Sequence, residues 1–377
     1  MINEDELDVR KPLNVIIEPT HECNLSCKYC YVDKNVEKGR MDNKTLENSI
    51  QKIAIFHGKN IKSSFEWHGG EPLLVGLDFY ENVIKIQKEM GIGYEFENSI
   101  QTNGTLITEE IADFFKENNF SNPGLSLDGP QKLNDMTRQY KNGRGTFDDI
   151  LKSIKILRER GMEANIIVTL NKCNIKYVEQ IYQFLKDEEI NARFNPVTIS
   201  GRAIENSQEL AISPDDYKEA KLNLYNLWMK DKQPPHLLCL ENTLKNILSE
   251  NIFCDCTFSN SCQGNFISID PQGNVYPCGE FDGNKEFRYG NINEDSLEII
   301  LSNPMRKQLL KRAESIEECK GCDYQKLCGG GCMRNAYAFD DNVFGKDPHC
   351  STYKELFSSF SDFIQIIGLK GGKNGKN

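Results

Sequence analysis

The chain has 377 residues, enough for one large or two modest domains, and its 38% hydrophobic and 27% charged residues are ordinary for a water-soluble globular protein. A formal net charge of −11 disfavours nucleic acid and anionic membrane as partners, because both attract a basic face. No apolar run reaches transmembrane length and the opening MINEDELDVR is too acidic for a signal peptide, so the expected compartment is the cytoplasm.

In chain order, Leu13 to Glu18 reads as a buried strand and Asn43 to Phe56 as a helix. A second strand runs from Ile61 to Trp67, with a helix from Leu77 to Lys88. A third strand, Tyr94 to Gln101, precedes a helix capped near Thr108. Gly124 to Asp128 is a fourth strand, followed by a helix from Thr146 to Arg160. Ala164 to Leu170 and Ala192 to Val197 are a fifth and sixth, separated by the helix Lys176 to Lys186. Such alternation predicts an α/β fold of parallel βαβ units, a partial six-stranded (β/α) barrel of the TIM type, with a doubly wound sheet as the alternative. In either fold the chemistry belongs at the carboxyl ends of the strands. Near Pro234-Pro235 the alternation stops, so a barrel domain is expected over 11–235, a loop-rich and cysteine-rich domain over 236–365, and a disordered tail over 366–377.

The 14 cysteines are unevenly spread, and in a reducing compartment dense cysteine usage points to metal rather than disulfides. Cys23, Cys27 and Cys30 form C-x3-C-x2-C just after the first strand, and nine more lie between Cys254 and Cys350. Cys173 and Cys239 stand apart and read as small buried hydrophobes. Three clustered thiols suit a four-iron cluster with one iron left open for a reactant. The competing reading is zinc, with a fourth ligand such as His21 or His68.

The N-terminal spacing resembles the radical S-adenosylmethionine (radical SAM) superfamily, and the downstream segments agree. WHGGEPLL puts Gly69, Gly70, Glu71 and Pro72 after the second strand, like the family's G-G-E-P segment, which meets the methionyl amino group. There the glycines would let backbone approach the ligand and the carboxylate would suit an ammonium. QTNGT and SLDGP close the third and fourth strands. The resemblance implies a ribose contact from Ser126 and a carboxylate contact from Arg138, with Asn103 and Asp128 as further candidates. Tyr31 and His68 flank the motifs and are candidates to face the substrate.

The C-terminal pattern resembles the seven-cysteine SPASM domain of radical enzymes that modify peptides: Cys262, Gly273, Cys278, then Cys319, Cys322, Cys328, Cys332 and Cys350. That resemblance implies two auxiliary 4Fe–4S clusters beside the one that binds S-adenosylmethionine, three in all. Carried over by position, one takes Cys256, Cys262, Cys278 and Cys332, with Cys254 a rival for Cys256, and the other takes Cys319, Cys322, Cys328 and Cys350. With eight ligands no auxiliary iron is open. A zinc ribbon remains the bland alternative. The first strand begins almost at once, so no leader-recognition domain is expected before it.

The implied function is oxidation of a residue in a peptide or protein substrate by a 5′-deoxyadenosyl radical, giving a thioether or carbon–carbon crosslink in a ribosomally made peptide. A flavodoxin or ferredoxin is the implied reductant, an anaerobic host the implied setting, and a monomer the expected state. The alternatives are an anaerobic sulfatase maturase making formylglycine from Cys or Ser, oxidation of a small carbinol or cofactor precursor, and a zinc-stabilised binding or scaffold protein. Sulfatase-maturating relatives carry an Asp base directly after the cysteine corresponding to Cys278, where this chain has Gly279. Glu280 is the candidate catalytic carboxylate one position later, although strand alternation would turn it to the other side.

Overall fold

The computed structural model describes residues 13–32, 36–249, 256–258, 262–366 and 368. Cys254 and nearly all of the 366–377 tail lie outside these residues. Six strands, β1 (Asn14–Ile17), β2 (Lys62–Trp67), β3 (Glu95–Thr102), β4 (Gly124–Ser126), β5 (Asn165–Leu170) and β6 (Asn191–Pro196), pair in sequential order and all in parallel. Sequential order is that of a partial barrel, whereas a doubly wound sheet would reverse at a switch point.

The helices follow from local chemistry. α1 (Asn43–His57) starts where the Asp42 carboxylate accepts from Thr45 N at 2.7 Å. α2 (Leu77–Glu89) follows the short Pro72–Val75 turn, and α3 (Glu109–Glu117) is capped by Thr108. α4 (Gln131–Thr137), absent from the sequence reading, precedes α5 (Phe147–Glu159). α6 (Val178–Asp187) returns the chain to β6. Alternation sorts each strand into two faces. Val15 and Ile17, Ile166, Val168 and Leu170, and Ala192 and Phe194 are buried in the hydrophobic core. The opposite face carries Ser126, Ile167, Thr169 and Asn195, which are only half-buried and line a cavity.

The second half is more regular than its loop-rich sequence suggests. β7 (Phe266–Ile269) pairs in parallel with β1, and β8 (Asn274–Tyr276) and β9 (Gly290–Asn291) add antiparallel, so one nine-stranded sheet runs through both halves. A 17-residue helix, Cys350–Ile366, packs on the helix Pro214–Lys230, where Tyr225 and Phe360 meet edge-on at 4.8 Å and Tyr225 Oη donates to Ser359 O. The apolar spacing of Leu356, Phe357, Phe360 and Ile364, all buried, was the overlooked signal. Cys173 and Cys239 are half-buried rather than core residues. Cys173 Sγ bonds to Glu209 O, and Cys239 Sγ accepts from Lys221 Nζ at 3.2 Å.

Candidate active site

The loop after β1 carries Cys23, Cys27 and Cys30, which together line one cavity of about 240 Å³ at the carboxyl ends of the strands. The cavity is completed by Gly69, Gly70, Asn103, Ser126 and Arg138, as the sequence anticipated, and by Tyr31, His68 and Glu280. The geometry of the turn after β2 gives a further reason for its glycines, both of which line the cavity. A Cβ on Gly70 would lie 2.3 Å from Glu22 O, and one on Gly69, whose φ is +103°, would lie 2.5 Å from Thr20 O. Gly70 N donates to Thr20 O at 2.9 Å and Glu71 N to Glu22 O at 2.8 Å. Both glycines are therefore required by the close approach of this turn to the cysteine loop.

Glu71 and Pro72 do not line the cavity. The fully buried Glu71 carboxylate accepts from Leu73 N, Thr102 Oγ1 and Asn103 N at 2.7–3.0 Å, so it clamps two strand ends together. Asp128 is likewise internal and accepts from Tyr29 Oη (2.6 Å), Thr137 Oγ1 and Thr169 N. Its effect on the cavity is indirect. Tyr29 Oη accepts from Arg138 Nη1 at 2.7 Å, so an Asp128–Tyr29–Arg138 chain fixes the guanidinium. Burial opposes that charge, but Tyr29, Cys27 and Asp128 hold the Arg138 pKa above its ordinary value. Tyr29 was not anticipated, and neither were Gln101, which donates to Ser126 Oγ, or Thr169 and Asn195 on the same half-buried face.

Does this cavity fit a cluster and S-adenosylmethionine? Two features answer. Three thiols converge from one short loop, with Asn103 Nδ2 donating towards Cys23 Sγ at 3.8 Å. Arg138 lines the cavity, and its buried Nε has no hydrogen-bond partner among the described residues, which suits an incoming carboxylate. The donor set fits.

The C-terminal thiols gather in two further groups. Burial is the main cause that raises the pKa values of Cys278, Cys319, Cys328 and Cys332, and mutual repulsion adds to it. Cys278 is repelled by Cys262 and Cys332, and Cys332 by Cys256. Cys319 is repelled by Cys350 and Cys322, and Cys328 by Cys350 and Cys319. Each of these repelling pairs falls within one of the two quartets that the resemblance implies. None of the described cysteines is disulfide-bonded.

Glu280 overturns the alternation argument. Gly279–Phe281 is a 3₁₀ turn, not a strand, so neighbouring side chains need not face opposite ways. Its carboxylate lies 3.5 Å from Arg334 Nε and is a third exposed. It lines the 240 Å³ cavity, an outer cavity of about 670 Å³, and a small one beside Cys256 and Cys332. Burial raises its pKa, against the pull of Arg334 and His68. Tyr31 also lines both larger cavities, with its Oη 3.3 Å from His68 Nδ1. Gly69 N donates to that same Nδ1 at 2.8 Å, which assigns the His68 proton to Nε2. His21 is 6% exposed beside Glu18 and Asp282 in the wall of the outer cavity. Burial works against its charge, but Asp282 and Glu18 raise its pKa to about 11.

A partial barrel with three thiols after its first strand and a second set of thiols on an appended domain defines a class of cluster-bearing radical enzyme. The family model of the Radical SAM superfamily matches residues 17–185, and that of SPASM, an iron-sulfur cluster-binding domain, matches residues 256–323. The chain belongs to the radical SAM superfamily and carries a SPASM domain. It is 32% identical to a cysteine-type anaerobic sulfatase-maturating enzyme of Clostridium novyi, over 92% of this chain and 95% of that one. It is 29% identical to a serine-type anaerobic sulfatase-maturating enzyme of Bacteroides thetaiotaomicron, over 95% and 91%. The solved structure of native anSMEcpe with bound AdoMet and Cp18Cys peptide superposes with a TM-score of 0.81 at 28% identity, covering 94% of this chain and 99% of that one. No helix among the described residues is long and apolar enough to cross a membrane.

Proposed function

We propose that this enzyme oxidises a residue of a peptide that enters through the 670 Å³ cavity, and that the product is a thioether or carbon–carbon crosslink in a ribosomally made peptide. The observation that carries the first half is the junction at Tyr31 and Glu280. These two side chains border both the cysteine cavity and the outer cavity, so a peptide in the outer one reaches the inner one there. When bound, a cluster on Cys23, Cys27 and Cys30 together with S-adenosylmethionine supplies a 5′-deoxyadenosyl radical able to take a hydrogen atom from the substrate.

The chain's own residues bind and orient. Arg138 pairs with the methionyl carboxylate through Nε, held in place by Tyr29. Ser126 and Gln101 supply polar contacts for the ribose. Asn103 steadies Cys23 and the adjoining loop. Tyr31 and His68 position the peptide at the mouth of the inner cavity. Once the hydrogen atom is taken, Glu280, fixed by Arg334, would accept the proton that the residue releases, and the remaining electron would pass to an auxiliary cluster held by the C-terminal cysteines. Two auxiliary 4Fe–4S clusters are assigned to Cys256, Cys262, Cys278 and Cys332, and to Cys319, Cys322, Cys328 and Cys350, for three clusters in all. The domains are assigned to 11–235 and 236–365, the reductant to a flavodoxin or ferredoxin, and the functional state to a monomer.

Crosslinking is favoured over aldehyde formation by residue 279, where a glycine offers no carboxylate. The second reading, formylglycine formation, is favoured by the printed names of the relatives and by Glu280, which does face the cavities. Mass spectrometry separates the two after anoxic co-expression with a candidate cysteine-containing peptide. Loss of two hydrogens per event without a hydrazine-reactive aldehyde supports crosslinking. An unchanged peptide, alongside a sulfatase fragment that gains such an aldehyde, supports the second reading. If neither substrate changes, the proposal fails.

A further inference from the structure

We propose that Glu18, His21 and Asp282 form a site for one divalent first-row metal ion, separate from the cysteine sites, in the wall of the outer cavity. Glu18 directly follows β1, and alternation puts it on the face opposite Val15 and Ile17. His21 stands three residues further on, and Asp282 comes from the turn after Cys278. Their ligand atoms all lie within 4.8 Å of one another. His21 Nε2 is 3.2 Å from Glu18 Oε2 and 3.7 Å from Asp282 Oδ2. Ligands bound to one ion at about 2.0–2.2 Å stand roughly 3–4 Å apart, so the spacing suits a shared ion.

The hydrogen bonding makes the stronger argument. Among the described residues, His21 Nε2, Glu18 Oε1 and both Asp282 carboxylate oxygens are buried and have no well-directed hydrogen bond, despite their closeness. Glu18 is 1% exposed and His21 6%. Buried polar atoms are almost always satisfied, so four orphans in one place mark a missing common partner. On its other side His21 Nδ1 lies 3.0 Å from Glu37 O and donates to it, the outer bond that turns a histidine's Nε2 towards a metal. Gly279 completes the arrangement. A Cβ there would lie 2.5 Å from Glu18 Oε1, so only glycine leaves the carboxylate its place.

One imidazole and two carboxylates suit manganese, iron, cobalt or zinc rather than a soft ion. Three protein ligands leave a position open, and these residues line the outer cavity, where water or a carbonyl oxygen has access. The rival occupant is a proton, which would make His21 an imidazolium bridging the two carboxylates. The site does not depend on which reaction the enzyme catalyses.

The test uses the anaerobically reconstituted enzyme and Mn²⁺, which hard nitrogen and oxygen ligands accept and thiolate sites do not. Electron paramagnetic resonance titration is expected to show one saturable Mn²⁺ per chain. With ¹⁵N-histidine labelling, that ion should couple to one histidine nitrogen. Glu18→Gln and His21→Gln should each weaken binding by about tenfold or more, with iron and sulfide content unchanged. Absence of saturable Mn²⁺, or undiminished binding in His21→Gln, overturns the site in favour of the proton. If the variants lose iron through misfolding, the labelled wild-type enzyme still decides. Bound Mn²⁺ without histidine coupling would also refute the assignment.

Discussion

The two cysteine regions are built on opposite plans. In the N-terminal region three thiols share one loop, and the strand ends around it provide the rest of the cavity. In the C-terminal region each quartet draws thiols from separate segments, which buried polar ties hold together. The fully buried Arg312 guanidinium donates to the carbonyls of Val343, Gly331, Gly330 and Gly345 at 2.6–3.3 Å. The Asp347 carboxylate accepts from Cys332 N, Asn335 Nδ2, His349 N and Tyr353 Oη. A sheet supplies its own hydrogen bonds, whereas a loop-rich domain must satisfy its backbone with side chains. The first region should therefore fail through its ligands, and the second through its scaffold.

The largest expected effect tests that contrast. Changing Cys23, Cys27 and Cys30 together to Ala should abolish S-adenosylmethionine cleavage while iron falls by only about one third. Loss of all iron would mean that the two regions assemble as one. Next comes Glu280→Gln, which should cut product formation by about 10²–10⁴-fold while leaving uncoupled S-adenosylmethionine cleavage. Unchanged turnover would remove Glu280 from the mechanism.

Arg312→Met strands four carbonyls and should cost about 3 kcal/mol or more, read as a fall in denaturation midpoint and loss of C-terminal iron. S-adenosylmethionine binding at the barrel should survive it. Arg138→Lys should raise the dissociation constant for S-adenosylmethionine about 10- to 100-fold by calorimetry, since charge-assisted hydrogen bonds contribute about 1.5–3 kcal/mol.

The smallest effect concerns the α1 cap. Asp42→Ala should lower stability by about 1 kcal/mol at neutral pH. Hydrogen bonds from Thr45 hold the Asp42 carboxyl below its ordinary value of 3.8. A depressed pKa stabilises the fold above that ordinary value, and the gain fades as pH falls through the folded one. The difference between variant and wild type should therefore shrink below about pH 4, read by chemical denaturation.

The same contrast explains what could be read from sequence. The barrel strands were legible because each is a short apolar run ending at a motif, and the thiol spacings carried both cluster regions. For Glu71 and Asp128 the motifs show that the carboxylates matter but not which way they point. Both turned out to hold strand ends and the Tyr29–Arg138 pair. Glu280 was misread because alternation holds only in extended chain, and no residue pattern announced the 3₁₀ turn. The helix Cys350–Ile366 had a clear helical stripe, masked by the cysteine-rich stretch before it. The Glu18–His21–Asp282 cluster was not legible at all, because its third member arrives from the other half of the chain.

The most direct test of the peptide-oxidation account is isotope transfer. The candidate peptide would be made in deuterated medium, purified, and mixed anoxically with the enzyme, reductant and unlabelled S-adenosylmethionine. The account predicts 5′-deoxyadenosine that carries one deuterium, with a matching loss of two hydrogen isotopes from the peptide. Copious 5′-deoxyadenosine without deuterium, from an unaltered peptide, would contradict it.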